Sequence, residues 1–209
     1  MSIKGFFLAL EGGEGSGKST LARSLEADLT EAGHAVIVTR EPGGTPVAEA
    51  IRHLLLTDGL PEASAWCEAL LFAAARAEHV SEVIRPALER GEVVICDRFV
   101  DSSVAYQGVG RGLGVEAVRQ ANEIALGGIC PDLTVVLDID PKVGLLRAVG
   151  HNRMEARTLE FHRAVRDAFL DFATSEPNRY LVVDAAAPHA QVLHSISTEL
   201  QARLARGSA

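Results

Sequence analysis

The chain has 209 residues, of which 47% are hydrophobic and 23% are charged, and its 28 acidic and 20 basic side chains give a net charge of −8. This length fits one domain with a large core, and the abundance of apolar residues excludes general disorder. The acidic balance argues against a broad electrostatic grip on nucleic acid. Apolar stretches such as residues 133–137 fall far short of the roughly 18 to 20 residues that cross a bilayer, so we expect no membrane span and no signal peptide.

Two further features of the composition concern the compartment and the ligand. The three cysteines, Cys67, Cys96 and Cys130, are an odd number in apolar contexts, so we expect small core residues in a reducing, cytoplasmic setting. Only three of the 20 basic residues are lysines, which leaves 17 arginines. Arginine is the side chain suited to bidentate anion binding, so the position of each arginine becomes informative.

Short apolar runs alternate with helical patterns along the whole chain. Between the runs, apolar residues recur every three or four positions, as at Leu21, Leu25 and Leu29. This alternation predicts an α/β fold with a parallel sheet and helices on both faces. With no linker, repeat or charge block, residues 1–209 are predicted to form a single domain. The predicted strands cover residues 6–10, 35–39, 92–96, 133–139 and 180–183.

The first predicted strand leads into a glycine-rich segment, EGGEGSGKST at residues 11–20, and a helical pattern follows. Gly12, Gly17, Lys18 and Ser19 satisfy the P-loop pattern GxxxxGK[ST]. The glycines let backbone N–H groups converge on phosphate oxygens, Lys18 reaches the β- and γ-phosphates, and the Ser19 hydroxyl binds Mg²⁺. The chain is therefore predicted to bind a nucleoside triphosphate. The residues predicted to bind the triphosphate are Gly12, Gly13, Glu14, Gly15, Ser16, Gly17, Lys18, Ser19 and Thr20.

Two other P-loop classes, GTPases and transporter-type ATPases, are disfavoured by motifs that the sequence lacks. The NKxD motif of GTPases is absent, since none of the three lysines follows an asparagine, and so is the LSGGQ signature of transporter ATPases. Arginines and aromatic residues instead lie at the ends of the second and third predicted strands and in the helical region between them. Ligands of an open parallel sheet bind beyond the carboxyl ends of its strands, so these side chains are expected to face the P-loop.

Several segments together with the P-loop resemble the successive signatures of thymidylate kinases. They are TREPGGT at 39–45, LFAAAR at 71–76, DRF at 97–99, AYQG at 105–108 and NRME at 152–155. The resemblance runs in the right order from residue 6 to about residue 185. It implies a three-layer P-loop fold with a short lid at about 147–157. It also implies ATP-dependent phosphorylation of dTMP to dTDP, which feeds dTTP synthesis, with Mg²⁺ and in a homodimer.

The resemblance implies roles for residues around the acceptor base and sugar. Phe72 matches the ring on which thymine stacks, and Arg76, one helical turn away, would donate to the base O4. Glu14 matches the carboxylate that reaches the sugar 3′-hydroxyl, and Tyr106 the side chain that crowds the 2′ position. The dTMP-binding residues implied are Glu14, Arg40, Phe72, Arg76, Arg98, Ser103, Tyr106 and Gln107.

Further roles concern the phosphates and the chemistry. Arg98 matches the arginine that holds the acceptor phosphate, and Arg40 is expected to face the same group. Asp97 is expected beside the phosphates and, with Ser19, at Mg²⁺. The residues predicted to be catalytic are Lys18, Asp97, Arg98 and Arg153.

The lid departs from the pattern of the family. Members with glycine after the P-loop acid, as at Gly15, usually carry several catalytic arginines in the lid, and here the lid holds few. Phosphoryl transfer depends on charge neutralisation, so an arginine must close on the transferring group. We expect Arg153 to do so, with Arg147 second, Arg157 a solvated helical residue and His151 on the lid surface.

Two alternatives remain open from the sequence. The first is a P-loop kinase for another nucleoside or deoxynucleoside monophosphate. The second is a non-catalytic nucleotide-binding module that kept the P-loop. An assay of ADP release across several acceptors separates all three.

Overall fold

A computed structural model of the chain describes residues 5–57, 62–148 and 153–207. It contains a five-stranded sheet with the order β2-β3-β1-β4-β5, in which all neighbouring strands are parallel. The predicted parallel α/β sheet is confirmed, and each strand ends within two residues of its predicted bounds. The strands are β1 (Phe6–Gly12), β2 (Val36–Arg40), β3 (Val93–Asp97), β4 (Leu133–Asp138) and β5 (Tyr180–Asp184).

Helices connect the strands, and several begin at recognisable caps. Thr45 and Thr158 each accept a hydrogen bond from a backbone N–H three residues later, and Pro46 follows the first of them. No helix in the described ranges is long and apolar enough to cross a bilayer. The helices are α1 (Lys18–Glu31), α2 (Pro46–Leu56), α3 (Ala65–His79), α4 (Arg85–Glu89), α5 (Val100–Ser103), α6 (Val115–Leu126), α7 (Pro141–Arg147), α8 (Leu159–Ser175) and α9 (His189–Gly207), with π-helical segments at Val80–Ile84 and Val104–Gly110.

The sheet is covered on both faces, because successive residues of a strand point in opposite directions. Leu8 and Leu10 of β1 join a core cluster with residues of α1 and α9. Phe7 and Ala9 join a second cluster with the 80–84 segment and α4. The three-layer arrangement is therefore confirmed, and it leaves the carboxyl edge of the sheet open for a site.

The register brings three strand ends to one place. Leu10 of β1 pairs with Asp97 of β3, and Asp97 pairs with Arg40 of β2. The P-loop begins where β1 ends, so the ends of β2 and β3 lie beside it. This is the edge at which ligands of open α/β sheets bind.

The expectation that all three cysteines lie in the core is wrong. Cys96 in β3 is buried, whereas Cys67 and Cys130 are exposed. Cys67 lies on the outer side of α3, and Cys130 lies in the connection between α6 and β4. Apolar neighbours in sequence do not bury a residue when the helix turns it outward or when it follows the end of a helix.

Candidate active site

The P-loop has a conformation that depends on its glycines. Gly12, Gly15 and Gly17 have φ values of 136°, 63° and 92°, a region that side chains with a Cβ rarely adopt. Gly17 precedes α1 directly, so the N-terminus of that helix opens into the loop. Anions are stabilised at such a position by the free N–H groups and by the helix dipole.

Lys18 lies inside this loop. Its Nζ donates to the carbonyl oxygens of Gly12 at 3.1 Å and Gly13 at 2.8 Å, and to Ser16 Oγ at 3.1 Å. Burial, reinforced by the positive charge of Arg98, lowers the pKa of Lys18 to about 8. The ammonium group is thus held in the loop, ready for a partner of opposite charge.

Ser19 and Asp97 form a contact that fits a divalent cation. Ser19 Oγ, at the start of α1, donates to Asp97 Oδ2, at the end of β3, over 2.5 Å. Hydroxyl and carboxylate oxygens suit Mg²⁺, which usually takes one or two carboxylates and completes its shell with phosphate and water. No group of three or more His, Cys, Asp or Glu side chains able to hold a metal occurs among the described residues. The pair therefore fits a cation that is held partly by a nucleotide.

The cleft above the P-loop is lined by several basic side chains despite the net charge of −8. The cleft is lined by the basic residues Lys18, Arg40, Arg52, Arg98 and Arg147 and by the acidic residues Glu14, Glu41, Asp97 and Glu155. The overall negative charge therefore does not describe this cleft.

Arg52 also belongs to the site, although it is not among the residues predicted from the sequence. It donates to the Pro42 carbonyl oxygen at 2.8 Å from α2 and lines the cleft. Burial, with Arg40 as the next cause, lowers its pKa. A signal was available: Arg52 stands four residues after Ala48 and three before Leu55, both buried, so it occupies the core-facing side of the helix.

Glu14, Arg98 and Tyr106 form the centre of the site. Arg98 Nη2 and the Tyr106 hydroxyl both donate to Glu14 Oε1, at 3.0 and 2.9 Å. The Arg98 guanidinium also lies 5.1 Å from the centroid of the Tyr106 ring. Burial alone would raise the pKa of Glu14, but Arg98, Lys18 and the Tyr106 hydroxyl together hold it below its ordinary value. A carboxylate inside the P-loop is thus kept ionised by its cationic neighbours.

A second cavity adjoins the cleft and shares Glu14 and Arg98 with it. Residues from α2, α3 and the 104–110 segment close its walls. The structure therefore brings together most of the side chains predicted for dTMP. Those lining this cavity are Glu14, Phe72, Arg76, Arg98, Ser103, Tyr106 and Gln107, together with Met154.

Arg76 lies in this cavity wall and is only 1% exposed. It donates from Nε to Glu41 Oε2 at 2.8 Å and from Nη2 to the Phe99 carbonyl at 3.2 Å and Ser103 Oγ at 3.1 Å. Nη1 donates to Asn122 Oδ1. These bonds engage all three nitrogens, so the plane of the guanidinium is fixed before any ligand binds.

Glu41 is a second residue that sequence reasoning missed. It is 4% exposed, and its other oxygen meets His79 Nδ1 at 3.1 Å. His79 Nε2 in turn lies 2.6 Å from Thr39 Oγ1. The TREPGG segment marked this region, but only the tertiary contacts show that its glutamate orients Arg76.

Two predicted side chains, the exposed Arg40 and the buried Gln107, are bound to carboxylates of the protein. Arg40 lines the cleft, but 55% of its side chain is exposed, and it pairs with Glu49 at 3.1 Å. Gln107 lines the cavity with its Nε2 donating to Glu68 Oε1 at 3.0 Å. Each already has a carboxylate partner in the protein.

The lid is described in part. Arg147 lines the cleft and donates to the Ala185 carbonyl at 3.1 Å. Arg153 also lies in the described part of the chain, but it lines neither the cleft nor the cavity. His151 and Asn152 lie outside the described residues. The expectation of a solvated, helical Arg157 is wrong: it lies in a bend and donates to Glu62 at 2.7 Å.

Known proteins of similar sequence and structure agree with this geometry. The family model for thymidylate kinase matches residues 10–196. A thymidylate kinase of Deinococcus radiodurans is 53% identical over 188 residues, which cover 88% of this chain and 91% of that protein. One of Symbiobacterium thermophilum is 54% identical over 182 residues, 86% of this chain and 85% of that protein.

A solved structure gives the same result. The crystal structure of thymidylate kinase from Ehrlichia chaffeensis matches with a TM-score of 0.79 and 33% identity, covering 94% of this chain and 98% of that one. Sequence and structure thus match one family over nearly the whole length of both partners. The chain belongs to the thymidylate kinase family.

Proposed function

We propose that the cleft and the adjoining cavity carry out the reaction of this family, transfer of the γ-phosphoryl group of ATP to dTMP, which gives dTDP and ADP. The observation that carries this assignment is the junction between the two spaces. Glu14 and Arg98 line both the phosphate cleft and the cavity, so a nucleotide in each would meet there. Enzymes of this kind act mainly by positioning and charge neutralisation.

The donor end is assigned to the P-loop. Residues 12–20 hold the ATP phosphates by backbone N–H groups, and Lys18 exchanges its loop carbonyls for the β- and γ-phosphates. Ser19 and Asp97 would hold Mg²⁺. Bound there, the cation would neutralise charge on the phosphate oxygens.

The acceptor end is assigned to the cavity. Phe72 supplies the face on which thymine stacks, and Arg76 and Gln107 lie at the wall that meets the base edge. Tyr106 fills the space beside the sugar, Glu14 accepts from the 3′-hydroxyl, and Ser103 keeps Arg76 in place. Arg98 and the more exposed Arg40 hold the dTMP phosphate as its oxygen attacks the γ-phosphorus in line.

A lid arginine completes the charge neutralisation. Arg147 already lines the cleft, so we assign this role to it in the described arrangement. The role of Arg153 stays a prediction that requires the lid to move. Comparison of the two alanine variants decides between them.

The direct test is a coupled assay of ADP release with dTMP, dUMP, UMP, dCMP and AMP as acceptors. Release that depends on dTMP, with dUMP weaker and UMP, dCMP and AMP inactive, is expected. A Tyr106→Phe variant keeps the ring and is expected to keep the preference for deoxyribose. ADP release that does not depend on any acceptor would contradict the assignment. Faster release with another monophosphate would show that dTMP is not the preferred acceptor.

The chain is further proposed to form a homodimer and to act in the cytoplasm. Helices α2, α3 and α6 pack side by side and expose large apolar side chains, which are Val47, Leu54, Trp66, Leu70 and Ile124. Such a patch is typical of an interface. All three cysteines are free thiols, as in a reducing compartment. Sedimentation of the wild type and Trp66→Glu tests the dimer, and a monomeric wild type would contradict it.

A further inference from the structure

Arg98 has a backbone conformation that its side chain disfavours. Its φ is 70°, and in the described part of the chain the other residues with positive φ are glycines. A residue with a Cβ stays in this left-handed region only when its surroundings hold it there. Something next to Arg98 therefore has to fix its backbone.

The conformation has a clear consequence for the side chain. It turns the guanidinium back over the P-loop, where Nη1 donates to the Gly12 carbonyl at 3.0 Å and to Ser102 Oγ at 3.2 Å. Nη2 donates to Glu14 at 3.0 Å. The position of Arg98 at the junction of cleft and cavity thus depends on the turn that begins at residue 98.

Glu11 holds this turn. It is the penultimate residue of β1 and is 0% exposed. Its Oε1 accepts from the backbone N–H groups of Phe99 at 2.8 Å and Ser102 at 3.1 Å, and its Oε2 accepts from Ser102 Oγ at 2.5 Å. The same Ser102 hydroxyl receives the bond from Arg98, so one carboxylate fixes both ends of the turn and a contact of the guanidinium.

Stability alone does not account for a carboxylate at this position. Burial, and then the nearby negative charge of Asp101, raise the pKa of Glu11 to about 7, and the hydrogen bond from Ser102 and the charge of Arg98 only partly oppose them. An ionised group there is therefore unfavourable in the folded chain. In the described part of the chain, the hydrogen bonds of its carboxylate reach Phe99 and Ser102, in the segment that follows Arg98.

We propose that Glu11 is a positioning residue that holds Arg98 in its left-handed conformation, and thereby aims the guanidinium at the phosphate of the acceptor. The inference rests on the proposed role of Arg98 at the dTMP phosphate. Glu11 itself touches neither nucleotide in this scheme. It acts through the 99–102 turn, so its loss should affect dTMP binding only through the position of Arg98.

The test is a double-mutant cycle of Glu11→Gln and Arg98→Ala. Glu11→Gln is expected to raise the KM for dTMP about tenfold and to change the KM for ATP less than twofold, as for the loss of one charge-assisted contact. In the Arg98→Ala background, Glu11→Gln is expected to change the KM for dTMP no further. Additive effects in the cycle would overturn the proposal.

Asp132→Asn is the matched control. Asp132 Oδ2 likewise accepts from a backbone N–H, that of Phe7 at 2.7 Å, but at the opposite edge of the sheet. The control is expected to leave the KM for dTMP unchanged while it lowers the thermal midpoint. An equal rise in KM for Asp132→Asn would show that Glu11 has only a general structural role.

Two further measurements keep the outcomes distinct. Ser102→Ala removes the shared hydroxyl while both backbone bonds remain, and it replaces Glu11→Gln if that variant does not fold. A crystal structure of the Glu11→Gln variant is expected to show a shifted Arg98 guanidinium, and an unmoved Arg98 would overturn the proposal. If Arg98→Ala leaves the KM for dTMP unchanged, the proposed acceptor role of Arg98 is wrong. The position of Arg98 in the crystal structure then tests by itself whether Glu11 holds the turn.

Discussion

The two halves of the site are built in different ways. The donor half is one contiguous segment, residues 12–20, whose glycines shape the backbone and whose lysine bonds to its own loop. The acceptor half is assembled from distant segments, with Glu41, Arg76 and Asn122 meeting in a buried network. The donor half depends on local geometry, whereas the acceptor half depends on the stability of the tertiary fold. Mutations in the donor half should therefore act mainly on kcat, and mutations in the buried network of the acceptor half mainly on stability.

The largest effect is expected in the donor half. Lys18→Met removes the cation at the phosphates and should lower kcat by about 10³-fold or more, as for other groups that neutralise transferring phosphoryl charge. Binding of dTMP, measured by calorimetry, should change less than about twofold, since Lys18 does not line the acceptor cavity. Lost dTMP binding would show that the halves are not independent.

In the acceptor half, Arg76→Met should act first on stability. It leaves Glu41 buried without its closest cation, which costs about 3–5 kcal/mol. Urea unfolding measures this change. Arg90→Met is the control, because Arg90 pairs with Glu92 at the surface and its loss should leave the unfolding midpoint unchanged. Equal behaviour of the two variants would show that the buried network does not stabilise the acceptor half.

Glu11, which holds the turn after Arg98, should make stability depend on pH. Its pKa is raised from 4.5 to about 7 in the folded chain, so folding binds a proton that unfolding releases. The free energy of unfolding should therefore fall, relative to that of Glu11→Gln, by about 3 kcal/mol as pH rises from 4.5 through 7. Urea titrations at several pH values measure the difference, and parallel pH profiles would refute it.

The smallest expected effect lies in the lid. Arg147→Ala removes a cation that already lines the cleft and should lower kcat by about 10- to 100-fold, the range for one charge-assisted hydrogen bond. Arg153→Ala should lower it less if the described arrangement is the reacting one. A larger loss at Arg153 would mean that the lid closes before transfer.

The same difference explains what the sequence could predict. The strands and the P-loop were predictable because short apolar runs and the GxxxxGK[ST] spacing are local signals. Arg52 had a local signal too, since its spacing from Ala48 and Leu55 puts it on the buried side of α2. The contacts of Glu11 and Glu41 had none of this kind, since their partners are 35 to 91 residues away in the chain. The exposed Cys67 shows the converse, because an apolar context in sequence does not by itself bury a residue.

The central claim is that Glu14 and Arg98 join the donor and acceptor halves. The most direct test is a crystal structure with dTMP and a non-hydrolysable ATP analogue. The account predicts the dTMP phosphate within hydrogen-bond distance of the Arg98 guanidinium, its 3′-hydroxyl at Glu14 and its thymine against Phe72. A dTMP phosphate bound away from Arg98, with the thymine outside this cavity, would contradict it.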